Sequence, residues 1–548
     1  MCKVFLNYID FSFNIMILLN GLALSKGREI KMKLENVPTI RDLLDVAPEK
    51  HSDRTFIKYI REGEIAEKKF STVRSNGLAV CRKLRHDIAE RNHIAIISKS
   101  TYEYIIAMTG VLCSGNVAVP IDPDSTINDI AAIINDSDAS AILFGAELAD
   151  SVEEIKALCP ALRYELLISE ESFTAIYEEF SEKSEYAALS DYKMDPEACA
   201  LIIYTSGTTG DKKGVMLSSE ALVSNLIFEP YDPIVVRVDT VLSVLPLHHI
   251  FCFICGYIGP LHIGTCICLN GEMKDLFKNL LVFKPDQIRV VPMIAQAILA
   301  RIRAIQAKNP ALSPKEAAAQ VTGGNLDMML SGGAYLDPAL CKAFAQYGIF
   351  LRQGYGMSEA SAKVTLPDPD CPMDSVGRLM STVNARIADG EIQLDTPGMM
   401  MGYYKRPEAT AEVITEDGWL RTGDIGRIDE NRVLYITGRA KNLIILSNGE
   451  NVSPEGIENR YMSNRLVSEV LVYAENDLIV AEVFPNEEFA QQNGITNINA
   501  ALEELTDKLN ETALPSHIVA RLIVRDTPLE KTSIGKIKRK QHIVGSEA

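Results

Sequence analysis

Basic residues are in short supply: 55 Lys and Arg face 73 Asp and Glu in 548 residues, a formal net charge of −18. A field of that sign repels phosphate backbones, so no nucleic-acid partner is expected, and any anionic small molecule must find its counter-charges locally. Regular cysteine spacing is missing too. The 11 Cys do not read as the disulfide framework of a small secreted domain, which leaves a reducing, cytoplasmic compartment as the expectation. No repeat of about 20–50 residues recurs, which excludes a solenoid or propeller. A GK[ST] in Walker A register is absent, as are kinase motifs, so a P-loop ATPase or kinase is excluded. Apolar residues make up 47% and charged residues 23%, close to an average globular protein and far from disordered or fibrous chains.

Two local features admit more than one reading. Cys252, Cys255, Cys266 and Cys268, with His248, His249 and His262 nearby, have spacings that could hold zinc. The segment is apolar on both sides of each Cys, so these residues read as small buried hydrophobes. Residues 4–24 are mostly apolar. As a transmembrane helix the stretch is poor, because Asp10, Asn7, Asn14 and Asn20 are costly in hydrocarbon. It lacks an A-x-A cleavage site for a signal peptide. Residues 1–31 are therefore expected to be an apolar extension of one of three kinds: upstream of a true start at Met32, an arm associating peripherally with the inner face of a membrane, or a packed segment.

From about residue 90 short β-rich runs alternate with helical runs. HIAIIS (93–98), VAVPI, SAILFG (140–145), CALIIYTS (199–206), VLSVLPL (241–247), QIRVVP (287–292), MMLSG (328–332) and IFLRQGYG (349–356) read as strands. Continuous apolar strands separated by helices indicate parallel sheets covered on both faces. After about residue 375 short alternating strands suggest a small β-barrel or sheet. Beyond Gly438 come strands, helical stretches at 454–463 and 498–511, and a basic tail with Lys531, Lys536, Lys538, Arg539 and Lys540. The expected organisation is α/β: a large domain over 32–440 built from two parallel-type sheets plus the small β unit, then a small α+β domain over 441–548.

The densest chemical signal is YTSGTTGDKKGVM (204–216), placed after a buried-type strand and before an expected helical run, MLSSEALVSNLIF. A loop this rich in Gly, Ser and Thr can turn backbone N–H groups and hydroxyls toward one anion, and Lys213 adds a point charge.

That loop resembles the phosphate-binding signature of the adenylate-forming superfamily, which includes acyl-CoA synthetases, luciferases and the adenylation domains of peptide synthetases. Lys212 stands where the signature has Pro, a departure expected to loosen the loop. Later segments follow in the family's order: LPLHHIF (245–251), LSGGAYLDP (330–338), GYGMSEAS (354–361), RTGDIGRID (421–429), GRAKNLIILSNGENVSPEGIE (438–458) and TSIGKIKR (532–539). The resemblance implies roles residue by residue. Thr205, Ser206, Gly207, Thr208, Thr209, Gly210 and Lys213 would hold the β- and γ-phosphates of ATP. His249 would line the acyl pocket. Gly332, Gly333 and Ala334 would lie beside adenine, as would Gly354, Tyr355 and Gly356, with Tyr355 packing on the base. Ser358 would contact phosphate, Glu359 would bind Mg²⁺, and Asp424 with Arg439 would grip the ribose. Lys441 would be the hinge of a mobile small domain, and Lys536 the lysine that domain brings in for adenylation.

A carboxylate is already ionised at neutral pH and needs no base to attack phosphorus. What the reaction needs is positioning and charge neutralisation, followed by thiol attack on the acyl-AMP after the small domain swings. The expected activity is ATP-dependent ligation of a fatty acid to coenzyme A. GYYKRPEATAEVI and FKPDQIRVVPMIAQAIL look most like long-chain fatty-acyl ligases, and the absence of a carboxylate in LPLHHIFCFICGYIG argues against an amino-acid substrate. An acyl carrier protein as acceptor, an aryl acid as substrate and a catalytically inert nucleotide-binding module are the alternatives.

Overall fold

In a computed structural model, residues 37–206, 212–224, 226, 239–446, 450–531, 537 and 539 are described. Two seven-stranded sheets dominate. One runs Phe350–Gln353, Met328–Ser331, Gln287–Val290, Thr240–Ser243, Cys266–Leu269, Thr55–Arg61, Glu64–Lys69, parallel except for its last, antiparallel pair. The other runs Gly402–Tyr403, Lys212–Ser218, Cys199–Ser206, Val117–Pro120, His93–Ile97, Ala139–Gly145, Tyr164–Ile168. Its last five strands are parallel and its first two pairings antiparallel. The apolar runs form central strands because both faces are covered: Ile94, Ile96, Leu143 and Leu201 are fully buried.

The β unit after residue 375 is, among the described residues, a four-stranded antiparallel sheet of Asn384–Ala388, Glu391–Asp395, Leu420–Ile428 and Leu434–Arg439. The last part of the chain has its own core around Ile457, Tyr461, Val470 and Leu502. There a three-stranded sheet of Val467–Glu475, Leu478–Pro485 and Val519–Val524 packs with helices Pro454–Met462 and Ile498–Glu511.

One expectation is corrected. The glycine- and hydroxyl-rich loop does not lead directly into the expected helical run: a strand comes first. The chain returns as the strand Lys212–Ser218, pairing antiparallel with Cys199–Ser206 so that Thr205 faces Lys213 and Ser206 faces Lys212. Among the described residues, the helix Ser219–Ser224 follows that strand. The cause is legible in retrospect: Val215 and Leu217 are fully buried on one face while Met216 between them is not, the period-2 pattern of a strand.

The four central cysteines, Cys252, Cys255, Cys266 and Cys268, are buried. Among the described residues no helix is long and apolar enough to cross a membrane. Residues 1–31, on which the three readings of the apolar extension fall, lie outside the described residues.

Candidate active site

The hairpin end is tied down from two sides. Lys212 reaches Asp129 at 2.7 Å, so the residue that replaces the signature's proline anchors the loop by an ion pair at its base. Lys213 lies with its Nζ 5.1 Å from the centre of the Tyr403 ring. Tyr403 comes to this place because Gly402–Tyr403 adds an edge strand to the hairpin, with Tyr403 opposite Val215. Its hydroxyl donates to Glu359 Oε1 at 2.8 Å, and burial beside that carboxylate pushes the phenol well above its ordinary range. Met400 N–H donates to the Glu359 carbonyl at 2.9 Å. Lys213, Tyr403 and Glu359, from three distant parts of the sequence, thus form one cluster.

Glu359 sits in a tight turn, and Gly356 makes that turn possible. A Cβ on Gly356 would fall 1.4 Å from the Ala362 carbonyl oxygen. Ser361 and Ala362 hold positive φ of 49° and 73°, an uncommon conformation for residues with a Cβ. The turn is pinned by Ala362 N–H to Met357 O (3.0 Å), Val364 N–H to Tyr355 O (3.0 Å) and Ser361 Oγ to Gly398 O (2.8 Å). Strain held by surrounding bonds is common at functional sites.

Tyr355, at the start of the turn, donates its hydroxyl to Asp424 Oδ2 at 2.5 Å. Asp424 Oδ1 takes Arg439 Nε at 2.7 Å. The register explains this pair: Asp424 and Arg439 face each other across strands Leu420–Ile428 and Leu434–Arg439. Asp424 is only 3% exposed, whereas the Arg439 side chain is half exposed. Burial pushes the Asp424 carboxyl up, and Arg439 and Tyr355 pull it back only in part. Asp424 N–H donates to Thr422 Oγ1 (3.0 Å), itself bonded to Ile392 O (2.8 Å).

The remaining segments close the ring. Gly354 N–H donates to Ser331 O at 2.9 Å, placing the Tyr355 turn beside Gly332, whose own N–H reaches Val290 O at 3.2 Å. Gly332 is buried while Gly333 and Ala334 are exposed. A Cβ on Gly332 would lie 3.0 Å from the Phe251 ring, so the helix that starts at Ile250 packs against this backbone. His249 caps that helix and is exposed, whereas His248 beside it is largely buried, its ring centre 4.4 Å from that of His249. Burial, with His249 adding to it, pulls the His248 imidazole down to about 4. Ser358 lies in the same short helical turn as Glu359.

Near the end of strand Leu434–Arg439, Gly438 approaches Ser453 so closely that a Cβ would fall 2.1 Å from its Oγ, and Asn442 Nδ2 donates to Glu455 Oε1. Lys441, between them, is exposed. Two members of the basic tail are held inside the small unit: Lys531 reaches Glu469 at 2.5 Å, and Arg539 grips Glu458 with bonds of 2.9 and 2.7 Å. Gly207, Thr208, Thr209, Gly210 and Lys536 lie outside the described residues.

Sequence reasoning missed Tyr403 as a partner of Glu359, Lys212 as an anchor and Thr422 as the support of Asp424. GYYKRP drew attention only as a substrate-class signal. Nothing local in a sequence announces a hydroxyl that reaches a carboxylate 44 positions away.

Comparison with known proteins bears on the whole of this arrangement. Residues 44–404 match the AMP-binding enzyme family and residues 441–544 the AMP-binding enzyme C-terminal domain. The chain is similar to the long-chain-fatty-acid–CoA ligase FadD15 of Mycobacterium bovis, 30% identical over 70% of each chain. It is 25% identical to the long-chain-fatty-acid–CoA ligase of Haemophilus influenzae, over 94% of this chain and 96% of that one. Among solved structures it resembles an anthranilate CoA ligase bound to anthranoyl-AMP, with a TM-score of 0.74 at 18% identity over 91% of this chain and 95% of that one. With more than half its length matching that family, the chain belongs to the AMP-binding enzymes.

Proposed function

We propose that the chain is an AMP-forming acyl-CoA synthetase: it joins a fatty-acid carboxylate to the α-phosphorus of ATP with loss of pyrophosphate, then passes the acyl group from the acyl-AMP to the thiol of coenzyme A. The observation that carries this reading is the convergence of two clusters, Tyr355–Asp424–Arg439 and Lys213–Tyr403–Glu359, on the two ends of one glycine turn. One suits a nucleoside and the other suits phosphates.

Asp424 is the ribose anchor in this reading. An ionised carboxylate has about four lone-pair sites, and Tyr355 and Arg439 use one on each oxygen. Two sites are left for the two ribose hydroxyls, and the half-exposed Arg439 is the partner that can yield to admit them. Tyr355 lies against the base, with Gly332, Gly333, Ala334, Gly354 and Gly356 forming the backbone wall. Lys213 and the 205–210 loop meet the β- and γ-phosphates, and Ser358 the α-phosphate.

Glu359 fits a magnesium ion: it is a hard oxygen donor whose Oε1 is fixed by Tyr403, and Mg²⁺ is commonly held by one or two carboxylates plus substrate phosphates. When bound, the ion would neutralise phosphate charge. The chain's own contribution is to hold the carboxylate in line with the α-phosphorus and to shield the charge that moves to the leaving pyrophosphate. Lys536, carried by the small domain, supplies further positive charge for adenylation, and rotation about Lys441 withdraws it before the thiol enters.

His249 stands at the mouth of the acyl pocket. Coenzyme A is favoured over an acyl carrier protein because an acidic enzyme and an acidic carrier repel at long range. The N-terminal apolar arm is the candidate for peripheral membrane contact. Incubation with ATP, Mg²⁺, coenzyme A and a long-chain fatty acid should yield acyl-CoA and AMP in equal amounts. Release of ADP and phosphate instead would overturn the reading.

A further inference from the structure

Three groups assigned to the phosphate side stand on three neighbouring strands of one sheet: Thr205 on Cys199–Ser206, Lys213 on Lys212–Ser218 and Tyr403 on the edge strand Gly402–Tyr403. A two-residue strand is shorter than most and holds its place poorly by backbone pairing alone. The pairing is extended a little, by Met401 N–H to Met216 O at 2.9 Å and Tyr404 N–H to Gly214 O at 2.8 Å. The remaining ties come from one other element. The helix Ile127–Asp136, with the turn that follows it to Asp138, reaches all three strands through carboxylates, and none of these carboxylates has a task in the chemistry described above.

Asp129, in the first turn of that helix, takes Lys212 Nζ at 2.7 Å. Asp136, its last residue, takes the Tyr204 hydroxyl on Oδ2 at 2.7 Å and Arg406 Nη2 on Oδ1 at 2.8 Å. One carboxylate thus joins the residue before Thr205 to the segment just after Tyr403, and these two strands flank the one that carries Lys213. Asp138 takes the Tyr404 hydroxyl at 2.8 Å and Lys405 Nζ at 2.7 Å, and Lys405 Nζ also donates to the Asp136 carbonyl at 3.0 Å. Lys405 and Asp138 both hold positive φ, 54° and 51°, uncommon for residues with a Cβ. Such strain persists where the surroundings over-determine it. A single exposed ion pair contributes little. Here the bonds form a network, and Asp136, 26% exposed in its side chain, is the member that spans two strands at once.

We propose that Asp136 is a positioning residue for adenylation, a brace that holds the edge strand against the hairpin so that the Tyr403 hydroxyl meets Glu359. Asp129 and Asp138 secure the same strands beside it. The proposal rests on the ligase reading above and adds a residue that acts through others. Without the Asp136 charge, Arg406 is released and Gly402–Tyr403 is free to shift. The 2.8 Å bond from Tyr403 to Glu359 Oε1 is then made only part of the time, and the carboxylate assigned to Mg²⁺ loses its fixed orientation.

Asp136→Asn keeps the size of the side chain and removes its charge. In ATP–pyrophosphate exchange with a long-chain fatty acid, it should raise the Mg²⁺ concentration for half-maximal exchange roughly 3- to 10-fold and leave the KM for the acid unchanged. In a Tyr403→Phe background the same substitution should raise it by less than about twofold, because the link it acts through is already cut. An unchanged Mg²⁺ dependence in Asp136→Asn, or an equal rise in both backgrounds, would overturn the proposal and leave the ligase reading standing. Wild-type exchange that no acid stimulates would remove both. Arg406→Gln cuts the same bond from the other side, so it carries the same comparison if Asp136→Asn fails to fold.

Discussion

Replacing Tyr403 with Phe removes one oxygen from the centre of the phosphate-side cluster. The hydroxyl donates to Glu359 Oε1 at 2.8 Å, and Tyr403 is 8% exposed, so water does not readily take its place. A hydrogen bond to a charged group contributes about 1.5–3 kcal/mol, which corresponds to roughly 10- to 100-fold in a rate or affinity at about 1.4 kcal/mol per tenfold. The Phe ring keeps the contact with Lys213 Nζ and the backbone pairing opposite Val215. Global stability should therefore fall by no more than the about 1.5–3 kcal/mol of that one hydrogen bond. The loss should appear as a rise in the Mg²⁺ concentration needed for half-maximal ATP–pyrophosphate exchange, since Glu359 is the carboxylate left without its fixed orientation. An unchanged Mg²⁺ dependence with unchanged exchange would show that Tyr403 does not position Glu359, and the argument from this cluster would fall.

Four other outcomes are expected. Gly356→Ala should cost about 3 kcal/mol or more, because its Cβ would meet backbone 1.4 Å away in a turn that cannot retreat; thermal unfolding and exchange assays check this, and a wild-type melting temperature would mean the turn opens freely. Burial raises the Asp424 carboxyl, so the native state binds a proton there more readily than the unfolded chain, and stability is gained as pH falls through the raised value. Denaturation across the range from neutral to mildly acidic pH should show the wild type gaining on Asp424→Asn; a constant difference would place the carboxyl at its ordinary value. Lys536→Ala should abolish acyl-AMP formation but spare thioester formation from supplied acyl-AMP, and equal losses in both steps would refute a role confined to adenylation. Lys441→Pro should spare adenylation relative to thioester formation, and an unchanged ratio of the two rates would remove Lys441 as hinge.

The parallel sheets were legible because strands such as His93–Ile97 and Ala139–Gly145 are buried on both faces and so are written as unbroken apolar runs. The outer hairpin Thr55–Arg61 and Glu64–Lys69 was not, since its edge strand EIAEKK is mostly exposed and carries charges on both faces. The strand that comes between the hydroxyl-rich loop and the helix Ser219–Ser224 was missed for a related reason. GVMLSSEALVSN contains residues that suit both periods, and pairing with a distant edge strand at Gly402–Tyr403 decided for the strand. In the site, the motif residues were readable one by one, because each lies in a short segment with its own turn chemistry. What joins them was not. The Tyr403–Glu359, Thr422–Ile392 and Lys212–Asp129 contacts span 44, 30 and 83 positions, and no periodicity encodes them.

The central claim is that this chain activates a carboxylate as its adenylate. Incorporation of labelled pyrophosphate into ATP, measured without coenzyme A and across fatty, aryl and amino acids, tests it most directly. The account predicts exchange that depends on a fatty acid and disappears in Asp424→Ala. Exchange that no carboxylate stimulates would contradict it and leave an inert nucleotide-binding module in its place.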